Sequence, residues 1–330
     1  MFNSKIKGVG HYVPENVITN HDLAKTIDTS DEWIQERTGI KERRFFNPEK
    51  DTVANMSAKA ARVALKRANI KDSEIDFIVF ANITPDYFFP GSGVLMQREL
   101  GLDNIAALDI RNACSGFIYG LSIADNFIKT GMYKTVLVVG AEIQSSALDM
   151  TTAGRNTNVI FGDGAGAAIL QRSDTPGILS THLHSDGKFA EELYIKDPGS
   201  SRKVRMSNEV LEGGSLNVHM NGTTVFKHAV QRFQEVIHEA LDANNKKTED
   251  IDLLIPHQAN LRISQFIQKK LGLSDDKVHN NIMYFGNTTA ASIPIAMSEA
   301  WEMGKLKDND LLCLAAFGSG FTWASALIEW

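Results

Sequence analysis

The sequence predicts an α/β fold made of two related halves, and three observations carry that expectation. Two apolar runs, IDFIVFANIT from Ile75 and IDLLIPHQAN from Ile251, are β-branched and nearly continuous, as in strands of a sheet covered on both faces. Each run follows a helix-like stretch that closes on Ala-Leu. The stretches themselves match. Residues 64–76 read ALKRANIKDSEID and residues 240–252 read ALDANNKKTEDID, identical at six of thirteen positions at an offset of 176 residues, 240 − 64. Self-similarity at one offset signals duplication of a supersecondary unit.

The later elements follow the same order in both halves. Residues 104–110 predict a strand that runs into NACSGF and then a helix, with Phe117, Leu121, Ala124 and Ile128 at helical spacing. In the second half, residues 278–284 predict a strand running into FGNTTAAS and another helix. Aligning those two turns sets Cys114 against Asn287, an offset of 173 (287 − 114). GMYKTVLVVGAE from Gly131 answers GKLKDNDLLCLAAFG from Gly304, each a helix end with Gly followed by a buried strand. GAGAAILQR answers WASALIEW. The division falls near Ser173 to Gly177, giving halves 1–174, with the cysteine, and 175–330, with the histidine and asparagine. Residues 186–221, rich in Gly and Ser, predict a loop excursion of the second half.

Composition narrows the function classes. Hydrophobic residues make up 43% and charged residues 22% of the 330 positions, ordinary for a globular protein large enough for a sizeable core. The net charge of −6 argues against non-specific nucleic-acid binding. No apolar run approaches the roughly 20 residues of a membrane span, and residues 1–9 lack the apolar stretch of a secretory leader. Two cysteines, Cys114 and Cys313, give no disulfide framework. The expectation is a cytoplasmic protein with reduced thiols.

Pseudo-symmetric strand–turn–helix units bring their turns together, and open α/β folds place sites at the carboxyl ends of strands. Cys114 lies at such a turn. A helix N-terminus there favours a thiolate and predicts a lowered thiol pKa; a buried structural cysteine is the alternative. His257, in PHQAN, ends a buried strand and can donate to an acyl oxygen or move a proton, or be a hydrogen-bonded loop histidine. Asn287 offers an uncharged amide for an enolate oxygen, or an N-cap. The glycines of AFGSGF permit unusual backbone angles that aim an N–H at an oxyanion, or form a plain tight hairpin. His182 and His184 form an H-x-H pair without further ligands and read as structural, so no metal site is expected. FGDGAG lacks the spacing of a dinucleotide site.

Six segments in order, DTSDEWIQERTGIKERR, ACSGF, GRNTNVIFGDGAGAAIL, PHQANLRI, FGNTTAASIP and AFGSGFTWASALI, closely resemble the β-ketoacyl-acyl-carrier-protein synthase III family over essentially the whole chain. The resemblance implies a thiolase fold with five α-β-α-β-α layers. It implies a triad of Cys114, His257 and Asn287, with the backbone N–H groups of Cys114 and Ser319 as oxyanion hole. Cys114 would take an acyl group from an acyl-CoA, and malonyl-ACP would then lose CO2 and attack it, starting fatty-acid synthesis. Trp33 would stack on adenine with Thr29 nearby, and Arg37 and Arg155 would contact the nucleotide, which suits guanidinium geometry. Asn260 and Arg262 would sit at the tunnel mouth, and Phe161, Met220 and Gly222 would line the acyl channel. Phe89 would reach the neighbouring subunit of a homodimer. Acyl-CoA and acyl carrier protein are the implied partners, with no metal or redox cofactor, nucleic acid or membrane.

The chain departs from the commonest family pattern. It reads RNACSGF where short-primer enzymes more often carry small residues. Ser319 and Ala324 replace usual glycines, and the stretch at residues 196–217 is long. These differences fit a branch that uses a longer primer or serves a specialised or head-to-head acyl condensation pathway. Thiolase chemistry needs a second active cysteine, and Cys313 reads as core. A synthase of the HMG-CoA type wants a glutamate base, and none lies in the local motifs. A non-catalytic acyl-CoA-binding paralogue would have lost a triad member, and all three are present. Arg262, Lys269 and Lys270 form either a basic patch for the acidic carrier protein or a solvated helix face.

Overall fold

The computed structural model describes residues 2–330. In chain order, β1 (Asn3–Tyr12) is followed by β2 (Asn16–Thr19), α1 (Asn20–Leu23), α2 (Asp31–Thr38) and β3 (Glu42–Phe45). Then come α3 (Val53–Ala68), β4 (Phe77–Ala81), α4 (Ser92–Leu100), β5 (Ala106–Ile110), α5 (Gly116–Lys129), β6 (Thr135–Glu142), α6 (Arg155–Asn158) and β7 (Gly164–Ser173). The chain turns into β8 (Ile178–Ser185), then β9 (Leu193–Tyr194), α7 (Asn208–Glu212) and β10 (His219–Met220). It ends with α8 (Gly222–Ala243), β11 (Leu253–Pro256), α9 (Leu261–Leu271), α10 (Ile282–Phe285), α11 (Ser292–Glu302), β12 (Leu311–Gly318) and β13 (Thr322–Glu329).

Two sheets of matching topology hold the molecule together. The first runs β1-β7-β6-β4-β5 and the second β8-β13-β12-β11. In both, the first three strands pair antiparallel and the next pair is parallel. Strands buried on both faces alternate between two cores. Val136 and Val138 of β6 join one cluster and Leu137 and Val139 another; Leu312 and Leu314 of β12 share the first, while Cys313 turns into a third. The shared cluster also holds Phe117, Leu121, Ala124 and Ile128 of α5 and Ile293, Met297 and Ala300 of α11. So α5 and α11 lie between the sheets, α3 and α4 cover the first, and α8 and α9 cover the second. That is the expected five-layer α-β-α-β-α arrangement, with the helical periodicity of each α segment supplying its apolar stripe.

Helix boundaries follow local chemistry. The Thr52 side chain caps α3 and Asn69, at φ 54°, ends it; the Asn260 side chain caps α9 and Gly272, at φ 69°, ends it. Cys313 is fully buried, as read from the sequence. Among the described residues, no helix is long and apolar enough to cross a membrane.

Three expectations change. The strand expected over residues 278–284 is reduced to one parallel bridge, Val278 with Leu254, followed by α10. Residues 186–221 are more than loop, because β9 and β10 pair and α7 intervenes. And Cys114 is not the counterpart of Asn287. β4 and β11 begin 176 residues apart (253 − 77), as do β6 and β12 (311 − 135) and α5 and α11 (292 − 116). The 3-10 turns Ala113–Ser115 and Thr289–Ala291 keep the same offset, and each opens on a left-handed residue, Ala113 at φ 45° and Thr289 at φ 52°. Cys114 therefore matches Ala290, and Asn287 matches Arg111. The 173-residue alignment set the turns NACSGF and FGNTTAAS against each other, whereas the strands set the true register.

Candidate active site

β5 ends at Ile110, and the left-handed backbone of Ala113 swings Cys114 into a buried 3-10 turn that leads into α5. A non-glycine residue at positive φ is strained, and such turns gather at functional sites. Gly318, the last residue of β12, presses against this turn from the other half. A Cβ on Gly318 would stand 2.6 Å from the Cys114 Cβ and 3.0 Å from its Sγ. The backbone N–H groups of Cys114 and Ser319 both point at the sulfur. AFGSGF forms the hairpin joining β12 to β13, and the Ser319 amide within it points at the Cys114 sulfur.

The thiol does not behave as the helix N-terminus alone would predict. Burial pushes it up to about 12, the Glu142 carboxylate pushes the same way, and the two N–H groups oppose. Desolvation of an anion in a sealed site outweighs the first-turn dipole. The local motifs hold no glutamate, as read, but Glu142 from outside them comes close to the thiol. It ends β6, is fully buried, and accepts from Asn82 Nδ2 at 3.1 Å and from the N–H groups of Ile83 and Thr84 at 3.2 and 3.1 Å. Its own burial pushes it up to about 8. Nothing in its local sequence marks it, because its approach to Cys114 depends on the ordering of strands β4, β5 and β6.

His257 follows β11, and its N–H donates to Ala315 O at 2.8 Å, extending the parallel ladder by one rung. Its Nδ1 lies 2.6 Å from Ser292 Oγ, and its Nε2 is buried without a hydrogen-bond partner among the described residues. Burial pulls its pKa down to about 3, so the ring is neutral. Asn287 is clipped to the segment after α6: its N–H donates to Ile160 O at 2.8 Å, and Gly162 N–H donates to its carbonyl at 3.1 Å. Its Oδ1 accepts from Thr289 N–H at 2.8 Å. That bond turns the amide so that its NH2 end is the one left to donate.

Cys114, His257 and Asn287 line one cavity of about 160 Å³, together with Phe161, Met220, Gly222, Asn260 and Gly318. Cys114 and Phe161 also line a second cavity of about 340 Å³, walled by Ile83, Arg111, Gln144, Ser319 and Thr322. The thiol thus sits where two hollows meet. The arrangement offers a nucleophile with two N–H groups beside it, and facing it a neutral imidazole and a carboxamide with no charged base.

The remaining sequence-predicted residues fall into groups. Trp33 is sandwiched by two guanidinium groups, Arg37 at 4.4 Å and Arg155 at 4.8 Å from the ring centroid. Asn260 Nδ2 donates to Arg37 O at 2.9 Å, tying this cluster to the cavity mouth. Thr29 Oγ1 is buried without a partner. Arg262 is exposed on α9, with Lys269 and Lys270 about two turns further along. Phe89 stands 80% exposed beside exposed Tyr87 and Phe88, outside both cavities. His182 and His184 pair with Glu239 at 3.3 and 2.6 Å, and no metal-ligating group of three appears among the described residues. Ser292, Glu142 and Thr289 were missed by sequence reasoning, since each acts through a contact distant along the chain or through the backbone.

Comparison with known proteins identifies the family and the fold. A family model described as 3-oxoacyl-[acyl-carrier-protein (ACP)] synthase III matches residues 108–187, and its C-terminal counterpart matches residues 241–330. The β-ketoacyl-[acyl-carrier-protein] synthase III of Caldanaerobacter subterraneus subsp. tengcongensis is 46% identical, covering 98% of this chain and 97% of its own. That of Alkalilimnicola ehrlichii is also 46% identical, over 100% of both chains. The crystal structure of 3-oxoacyl-[acyl-carrier-protein] synthase III from Aquifex aeolicus VF5 superposes with a TM-score of 0.91 at 44% identity, covering 99% of this chain and 100% of that one. With relatives this similar over its full length, the chain belongs to the β-ketoacyl-acyl-carrier-protein synthase III family.

Proposed function

We propose that this protein condenses an acyl-CoA primer with malonyl-ACP to give a 3-oxoacyl-ACP, the opening step of fatty-acid synthesis. The observation that carries the reading is the convergence of Cys114, from residues 1–174, with His257 and Asn287, from residues 175–330, on one cavity. The Cys114 thiol attacks the acyl-CoA carbonyl, CoA leaves as its thiol, and the acyl group remains as a thioester. Malonyl-ACP then brings its thioester oxygen against His257 Nε2 and the Asn287 NH2. The carboxylate departs as CO2, leaving an enolate held by two neutral donors. The enolate carbon attacks the acyl-Cys carbonyl, whose oxygen falls to the N–H groups of Cys114 and Ser319. Collapse breaks the C–S bond, and the released thiolate takes up one proton. The reading needs no metal or redox cofactor.

The two cavities give the reactants separate places. The malonyl arm must reach His257 and Asn287, so the cavity lined by Phe161, Met220 and Gly222, expected from the sequence to be the acyl channel, is read instead as the place of the malonyl arm. The primer chain then takes the one beyond Cys114. The Trp33, Arg37 and Arg155 cluster would hold the CoA nucleotide, with Thr29 beside it. Arg262 at the mouth, with Lys269 and Lys270, would meet the acidic carrier protein. A cytoplasmic homodimer, with Phe89 of each copy against the other's primer cavity, completes the reading. The primer cavity shares Ile83, Arg111 and Ile195 with a larger hollow of about 750 Å³. That shared wall supports a primer longer than acetyl.

The deciding experiment incubates the protein with acyl-CoAs from acetyl to tetradecanoyl and weighs the acyl-enzyme. One acyl group per chain is expected in the wild type and none in Cys114→Ala. Undiminished turnover in Cys114→Ala would refute the mechanism, and best labelling by acetyl-CoA would sink the longer-primer reading.

A further inference from the structure

We infer that Ser292 is a positioning residue that locks His257 into the tautomer carrying its proton on Nε2, an inference that rests on the condensation reading above. The hydrogen-bond geometry leaves one consistent assignment. Ser292 Oγ has two neighbours within hydrogen-bond distance: His257 Nδ1 at 2.6 Å and the backbone N–H of Gln258 at 3.4 Å. The Gln258 N–H can only donate. Of these two, only Nδ1 can therefore accept the serine hydrogen. A proton on Nδ1 would leave the Ser292 hydrogen without an acceptor at a site only 2% exposed, and a buried unpaired polar group is expensive. So Ser292 donates to Nδ1, and the proton of the neutral ring sits on Nε2.

Nε2 is buried, has no hydrogen-bond partner among the described residues, and belongs to a ring that lines the Cys114 cavity. A protonated Nε2 donates to a developing enolate oxygen; a bare Nε2 would repel it with a lone pair. Internal symmetry reinforces the assignment. At the 176-residue offset, His257 matches Ala81 and Ser292 matches Gly116 (257 − 81 and 292 − 116). In the first half those two positions hold plain apolar packing, with the place of a Gly116 Cβ 3.0 Å from the Ala81 Cβ. In the second half the same pair of positions is a histidine and the hydroxyl that orients it.

The test labels the histidines with ¹⁵N and reads one-bond N–H couplings, with the His257 signals assigned by their loss in His257→Gln. The wild type should show a protonated Nε2 and a bare Nδ1. Ser292→Ala should shift population toward Nδ1–H and slow condensation by a preformed acyl-enzyme roughly 10- to 100-fold. Acylation of Cys114 should change less than about twofold. Ser292→Cys, which keeps a weak donor, should fall between, and it carries the same readouts if the alanine variant does not fold. Adding Ser292→Ala to His257→Gln should cost nothing further. A wild-type His257 protonated on Nδ1, or a Ser292→Ala enzyme that condenses at the wild-type rate, overturns the inference. A wild type that forms no acyl-enzyme or releases no CO2 overturns the condensation reading instead, while the couplings still decide the tautomer.

Discussion

At the residue scale, the site works by holding groups in definite protonation states. The thiol is raised to about 12, so its proton must leave as the sulfur attacks rather than beforehand. In the proposed reaction the two N–H groups that face the sulfur serve the acyl oxygen once the thioester has formed. His257 is neutral at any physiological pH, its pKa held at about 3 by burial. A neutral donor can stabilise an enolate without quenching it by protonation. Removing a donor should therefore separate the two half-reactions. His257→Ala and Asn287→Ala should acylate normally and lose roughly 10²- to 10³-fold in CO2 release from malonyl-ACP, measured in single turnover. Loss of acylation in both variants would place these side chains in the first step instead. The sequence makes Cys114 a candidate by its turn and His257 by the strand before it. Ser292 was not, because a serine 35 residues from its histidine (292 − 257) carries no local mark of the bond it makes.

At the element scale, the nucleophile is set by a meeting of strand end and helix start from different halves. β12 stops at a glycine because the Cys114 turn occupies the space its side chain would need. Gly318 does not have a positive φ, so backbone freedom is not its reason. Gly318→Ala should then push the turn aside. We expect a loss of about 1–3 kcal/mol in stability, typical of overpacking, read as a lower urea midpoint. Cys114 acylation should fall well beyond what that instability explains. A Gly318→Ala enzyme with wild-type acylation would mean that the turn yields without moving the sulfur. The duplication itself was visible in the sequence because strands and their preceding helices diverge slowly under packing. The register of the turns was not, because at the true offset of 176 NACSGF faces TTAASI without one identical residue, and only the paired strands on either side fix the match.

At the scale of the whole molecule, the buried titratable groups give stability a maximum between two flanks. His257 has a folded pKa near 3 against 6.5 for the free side chain. Its contribution is fully present above about 6.5 and is lost as the pH falls toward 3, since the unfolded chain takes up the proton first. Glu142 has a folded pKa near 8 against 4.5. Its contribution is fully present below 4.5 and is lost as the pH rises through about 8, where the buried acid must ionise. Each flank should slope by up to about 1.4 kcal/mol per pH unit. Urea midpoints followed across pH should show the acid flank flattened in His257→Gln and the alkaline flank flattened in Glu142→Gln. Parallel curves for wild type and variants would refute the assignment.

By itself the sequence determined the α/β class and the duplication, and it marked turns where Cys114, His257 and Asn287 could converge. Those depend on periodicity, repetition and local turn chemistry, which are written along the chain. Only the tertiary structure decided the protonation states of Cys114 and His257, the presence of Glu142 beside the thiol, the hydroxyl on His257 Nδ1 and the matching of Cys114 to Ala290. Each of these rests on burial, or on an approach between residues that belong to different strands, turns or halves. Desolvation and contact across the fold have no signature in any single stretch of sequence.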